Sequence, residues 1–153
     1  MITQRIAELL ADSNPLRLAA VSPAHANAVI DAARNKGFLI WTLNGRQMKN
    51  DETVFNHFAQ VLRFPDYFGR NWDEMDECLR DLGWAPSSAY LLAINDADAL
   101  FLTSPTSFKA LIDCLRFVSK HWPVWQNKKI PFKVLFVTES PEIASLTDIA
   151  FLD

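Results

Sequence analysis

The chain has 153 residues, half of them hydrophobic and 22% charged, with a formal net charge of −3. That length suits one domain with a sizeable core, and the composition excludes a disordered or fibrous chain. Near-neutrality argues against direct nucleic-acid binding, which needs a concentrated basic patch. The longest apolar runs, AYLLAI (89–94) and GFLIWTL (37–43), are too short to cross a bilayer.

In chain order, Ile2, Ile6, Leu9 and Leu10 fall at helical spacing over positions 1–11, and Ser13-Asn14-Pro15 is expected to break that helix. LRLAAV (16–21) reads as a short strand. Ser22-Pro23 then reads as a helix start, with Ala26, Val29, Ile30 and Ala33 on one face and Gly37 as the stop. GFLIWTL is a second strand ending at the turn Asn44-Gly45. Asp51 is expected to cap a helix carrying Val54, Phe55, Phe58, Val61 and Leu62. Asn71 is expected to cap the next, with Glu74 in the capping-box place, Trp72, Met75, Leu79 and Leu82 as the buried stripe, and Gly83 as terminator. SAYLLAI is a strand, NDADALFL is irregular, and a long helix starting at Thr106 or Ser107 turns Phe108, Leu111, Ile112, Leu115 and Val118 inward. PFKVLFV (131–137) is the last strand, and the tail 139–153 docks loosely. Continuous apolar strands separated by helices predict an α/β fold with a parallel sheet covered by helices.

Few catalytic patterns are present. The four glycines form no GxGxxG or Walker loop, and there is no GxSxG elbow. His25, His57 and His121 lie far apart, without metal-ligand spacing, so neither a metal nor another cofactor is expected. Cys78 and Cys114 lack a CxxC partner, and Cys78 sits mid-helix, away from the helix start that would activate it. Both fit buried thiols of a reduced cytoplasmic protein. The N-terminal segment has scattered charges and no uninterrupted apolar core, unlike a secretory signal.

The charge itself is unevenly placed. Asp66, Asp73, Glu74, Asp76, Glu77 and Asp81, against Arg70 and Arg80, give positions 66–81 a net −4, more than the whole chain carries. Helix-dipole complementation accounts for Asp73 and Glu74 but not for the acids beyond the first turn. The pattern therefore leaves a solvated face and a binding surface both open.

The stretch FPDYFGRNWDEMDECL (64–79) resembles the signature of the barstar family, intracellular inhibitors of secreted ribonucleases. The positions that carry the resemblance are Pro65, Asp66, Tyr67, Phe68, Gly69, Asn71, Trp72, Asp73 and Cys78. It extends over about 37–138 and implies a small α/β fold with three core parallel strands. Residues 1–36 would then be an extension packed on that core, adding one edge strand, with 37–153 as the barstar-like domain of a single globular unit. The family uses the loop before the acidic helix, and that helix, to plug a ribonuclease active site. By position, the resemblance assigns partner contact to Tyr67, Asp73, Asp76, Glu77, Gly83 and Trp84, with no catalytic residue. Two departures stand out: Asp76 replaces a contacting tryptophan, and Phe117 replaces a contacting glutamate. The expected partner is a ribonuclease; a different basic protein, such as another toxin or a regulatory protein, is the alternative, and a carboxylate-dependent hydrolase is the third class.

Overall fold

The computed structural model describes residues 1–11, 16–126, 130–147 and 149–153; the predicted break at Ser13-Asn14-Pro15 lies outside them. The helices are α1 (Ile2–Ala11), α2 (Pro23–Asn35), α3 (Asp51–Leu62), α4 (Trp72–Asp81), α5 (Ala97–Thr103), α6 (Pro105–Gln126) and α7 (Pro141–Thr147). The strands are β1 (Leu16–Val21), β2 (Leu39–Asn44), β3 (Tyr90–Asn95), β4 (Phe132–Val137) and β5 (Ala150–Phe151), joined in one parallel sheet of order β2-β3-β4-β1-β5.

The sheet has five strands, which corrects the expectation of three core strands with one added edge. β1 pairs with β4 from Leu16↔Phe132 to Val21↔Val137, and its other side is taken by β5, with Ala19↔Ala150 and Ala20↔Phe151 in register. β1 is therefore an inner strand. The tail supplies the missing edge because its apolar residues alternate correctly to be buried: Ile149 joins one face of the core and Leu152 the other. The Leu152 N–H donates to the Ala20 carbonyl at 2.8 Å, so the tail is docked firmly rather than loosely.

Strand alternation divides the core in two. Tyr90, Leu92, Ile94, Phe132, Val134 and Phe136 face a large cluster completed by α3, α4, α5 and α6. Leu91, Ala93, Leu135 and Val137 face a smaller one completed by Ile6, Leu9 and Leu10 of α1 and by Ala26, Val29 and Ala33 of α2. Helices on both faces explain why these strands are almost entirely apolar, with the buried Lys133 of β4 as the exception.

Several helix ends differ from the sequence reading. α3 is capped by Asn50, whose side chain accepts from the Thr53 N–H at 2.9 Å while the Thr53 hydroxyl accepts from the Asn50 N–H; Asp51 is the first helical residue instead. α4 ends at Leu82, which adopts a left-handed conformation with φ 49°, one residue before Gly83. α6 starts at Pro105, with the Ser104 hydroxyl accepting from the Ser107 N–H. The stretch read as irregular forms α5 after a left-handed turn at Asp96. Gly37 does terminate α2, at φ 84°, where a side chain would be strained.

Candidate functional site

The loop leading to α4 is built by burying one aromatic and exposing the next. Pro65 starts a turn closed by the Phe68 N–H donating to the Pro65 carbonyl at 3.0 Å. Phe68 goes inward, with its ring edge-on to Phe64 at 4.9 Å and to Phe55 at 6.2 Å. Tyr67 is thereby left outside, 59% exposed. Its hydroxyl donates to the Asp81 carboxylate at 3.0 Å, bridging the loop to the far end of α4. Partial desolvation and the Asp81 carboxylate together push its pKa up to about 12, so the phenol stays protonated.

Gly69 does not use its conformational freedom. A Cβ there would collide with the Glu74 carboxylate, which lies against the loop and has one buried oxygen without a hydrogen-bond partner among the described residues. Glu74 thus fills space beside the loop rather than closing a capping box. Asn71 caps α4 as expected, its side chain accepting from the Glu74 N–H at 2.8 Å. Arg70 adopts a left-handed conformation, and its guanidinium bonds Asn56 of α3.

α4 buries Met75, Cys78 and Leu79, while Trp72 is half-buried with its ring edge-on to Phe55 at 4.8 Å. Burial, then the surrounding carboxylates, push the Cys78 thiol up to about 11; burial likewise pushes the Cys114 thiol up to about 12. Neither is an activated nucleophile.

The carboxylates of the acidic stretch fall into two groups. Asp73 and Glu77, one helical turn apart, are both exposed, as is Asp66, and none of the three has a hydrogen bond or ion pair among the described residues. Asp76 is placed differently from the expected outward carboxylate. It is buried, and it accepts three hydrogen bonds from Arg80: two from Nε at 3.1 Å and one from Nη2 at 2.7 Å. The guanidinium in turn lies 5.9 Å from the ring centre of Phe117 on α6, which is 49% exposed and packs against His121. The two positions at which this sequence departs from the barstar pattern are therefore joined in space through Arg80.

Two hollows of about 330 Å³ flank the helix. Tyr67, Glu77, Arg80 and Asp81 line one. Trp72, Asp73 and Asp76 of α4 and Ala110, Asp113, Cys114 and Phe117 of α6 line the other. Gly83 is exposed but lines neither. Trp84 also lines neither: it is half-buried, its Nε1–H donates to the Leu62 carbonyl at 2.9 Å, and its ring packs on Phe64. Sequence reasoning grouped six contact residues; the structure brings Tyr67, Asp73, Asp76 and Glu77 around one helix and sets Trp84 against the end of α3. It missed Arg80 as the internal partner of Asp76, although their i, i+4 spacing was visible. Among the described residues no group of His, Cys, Asp and Glu is arranged to hold a metal, and no helix is long and apolar enough to cross a membrane.

Comparison with known proteins agrees with the resemblance seen in residues 64–79. The family described as Barstar (barnase inhibitor) matches residues 38–137. The Bacillus subtilis (strain 168) protein named "Putative ribonuclease inhibitor YrdF" is 36% identical over 53 residues, which are 35% of this chain and 56% of that protein. Among solved structures, the Walker-type ATPase paby2304 of Pyrococcus abyssi superposes with a TM-score of 0.54 at 12% identity, over 94% of this chain. That likeness concerns the fold alone, and this chain spans about half the length of either protein, 46% in the case of the ATPase. With all of β2, β3 and β4 and the whole acidic helix inside the matched region, the chain belongs to the Barstar (barnase inhibitor) family.

Proposed function

We propose that this protein is a non-catalytic inhibitor that binds a ribonuclease in the cytoplasm by presenting α4 and its preceding loop to the enzyme's cationic active site. The observation that carries the proposal is the pair Asp73 and Glu77, exposed one turn apart and uncommitted to any internal partner among the described residues. A ribonuclease active site concentrates cations to hold phosphates, and two carboxylates at that spacing offer those cations charge-assisted hydrogen bonds in place of RNA. A local excess of negative charge also steers encounter, raising association rates about 10–10³-fold at low salt. Tyr67, exposed beside them, adds an aromatic contact of the kind that dominates interface energetics.

The test is cleavage of a fluorogenic RNA by a secreted guanyl-specific ribonuclease. Stoichiometric protein is expected to abolish cleavage, and the double variant Asp73→Ala/Glu77→Ala to slow association at least about 10-fold at low salt. Absence of binding at low salt, or a double variant that associates like the wild type, refutes the proposal.

A second reading is a binding module for a different basic partner. The specific observation favouring it is the Asp76–Arg80–Phe117 group, which places an internally neutralised ion pair and an exposed ring where the family pattern has a tryptophan and a glutamate. Isolation of the endogenous complex from the source cell, with the bound protein identified as something other than a ribonuclease, would favour this reading.

A further inference from the structure

We propose that Asp51 is a positioning residue that clamps together the two helices on which the candidate interface is built; its consequence for binding rests on the ribonuclease-facing assignment of α4. Asp51 is the first residue of α3, and the capping work expected of it is done by Asn50 and Thr53. Its carboxylate is left to reach the two neighbouring helices. One oxygen accepts from the Ser107 hydroxyl of α6 at 2.6 Å, and the other accepts from the indole Nε1–H of Trp72, the first residue of α4, at 3.2 Å.

Side chains from the first turns of three helices therefore meet at one carboxylate. Asp51 itself lies in the first turn of α3, where a carboxylate complements the positive end of the helix dipole. Ser107 is buried, and the Trp72 indole can only donate, so removing the shared acceptor leaves both groups without the partner they have in the fold. Trp72 also forms a wall of the hollow between α4 and α6, next to Asp73, with Asp113 and Phe117 across it. Holding Trp72 fixes where α4 begins relative to α6, and hence where Asp73 and Glu77 point. Carboxylates held in advance need not be ordered on binding, and that saving appears as slower dissociation. Both donors are neutral and Asp51 is exposed, so its charge still adds to the local negative field.

The experiment compares Asp51→Ala with Asp51→Asn. An asparagine can accept from Trp72 through its carbonyl and donate to the Ser107 oxygen through its amide, keeping both contacts without charge. Amide hydrogen exchange in α4, with the amides of β3 and β4 as internal reference, reads the clamp without any partner. Asp51→Ala is expected to raise exchange in α4 about 10-fold while the strands are unchanged, and Asp51→Asn to restore protection. Toward the guanyl-specific ribonuclease, Asp51→Ala is expected to dissociate about 10-fold faster than Asp51→Asn, while the two variants, which lose the same charge, associate at rates within about twofold of each other. The clamp is overturned if α4 exchange is unchanged, if α4 and the strands lose protection together, or if asparagine behaves like alanine. If the wild-type protein does not bind the ribonuclease, the inhibitor reading fails, while the exchange result still decides the clamp.

Discussion

Replacing Asp76 separates the internal role of this carboxylate from the external role of its neighbours. Its side chain is 11% exposed and that of Arg80 19%, and the pair is joined by three hydrogen bonds between 2.7 and 3.1 Å. Exposed ion pairs contribute about 0.2–1 kcal/mol, whereas breaking a buried pair by removing one member costs about 3–5 kcal/mol. This pair lies between those limits, with bidentate, charge-assisted geometry. Asp76→Ala is therefore expected to cost about 2 kcal/mol, which for a chain of this size lowers Tm by about 4–8 °C. Asp76→Asn, which keeps an acceptor of similar shape, is expected to lose roughly half as much as alanine. Urea titration gives the stability, and stopped-flow mixing with the ribonuclease gives the association rate. Asp76→Ala leaves the Arg80 cation in place and so changes the local charge by one unit, whereas the pair-neutral Asp76→Ala/Arg80→Ala removes both charges. Association of the pair-neutral variant is expected to stay within about twofold of wild type, unlike that of Asp73→Ala/Glu77→Ala. Unchanged stability of Asp76→Ala, or an association rate of the pair-neutral variant that falls as far as that of Asp73→Ala/Glu77→Ala, would refute the internal assignment.

Trp84→Phe removes the indole bond to the Leu62 carbonyl and part of the packing on Phe64; it is expected to cost about 1–2 kcal/mol in urea unfolding, and a loss of affinity without loss of stability would make Trp84 a partner contact first. His57 Nε2 accepts from the Asn44 N–H at 2.9 Å, which requires a neutral ring, and burial lowers its pKa from the ordinary value of about 6.5. The unfolded chain therefore binds this proton more readily, so stability is full above about pH 6.5 and declines as the pH falls below it. His57→Gln, tested by urea unfolding at several pH values, is expected to flatten that acid-side decline.

What could be read in the sequence was what local chemistry decides. Asn71 as a cap, the stripe Met75–Leu79 and the stop at Gly37 follow from neighbours within one or two helical turns, and each is where the pattern put it. β5 was illegible because a two-residue strand carries no period; its place depends on β1 offering a free side some 130 residues earlier in the chain. The burial of Asp76 was illegible for a related reason. An Asp and an Arg four apart have the spacing of an ordinary exposed helix pair, and only the packing of α6 against α4, which brings Phe117 to Arg80 and Cys114 beside Asp76, sets this one apart. Asp51 was misread because a cap and a bridge between helices need the same residue type at nearly the same position, and Asn50 took the first role. The acidic stretch was visible in the sequence as a segment, but the orientation of each carboxylate within it depends on tertiary neighbours.

The division of the core by the sheet has a practical corollary. α1 and α2 cover the side opposite α4 and α6, and the solvent-exposed Lys36 sits just past the end of α2. A dye, a sensor-chip linkage or a fused reporter attached through Lys36 would be carried on the reverse of the molecule, leaving the acidic helix unobstructed for whatever docks there.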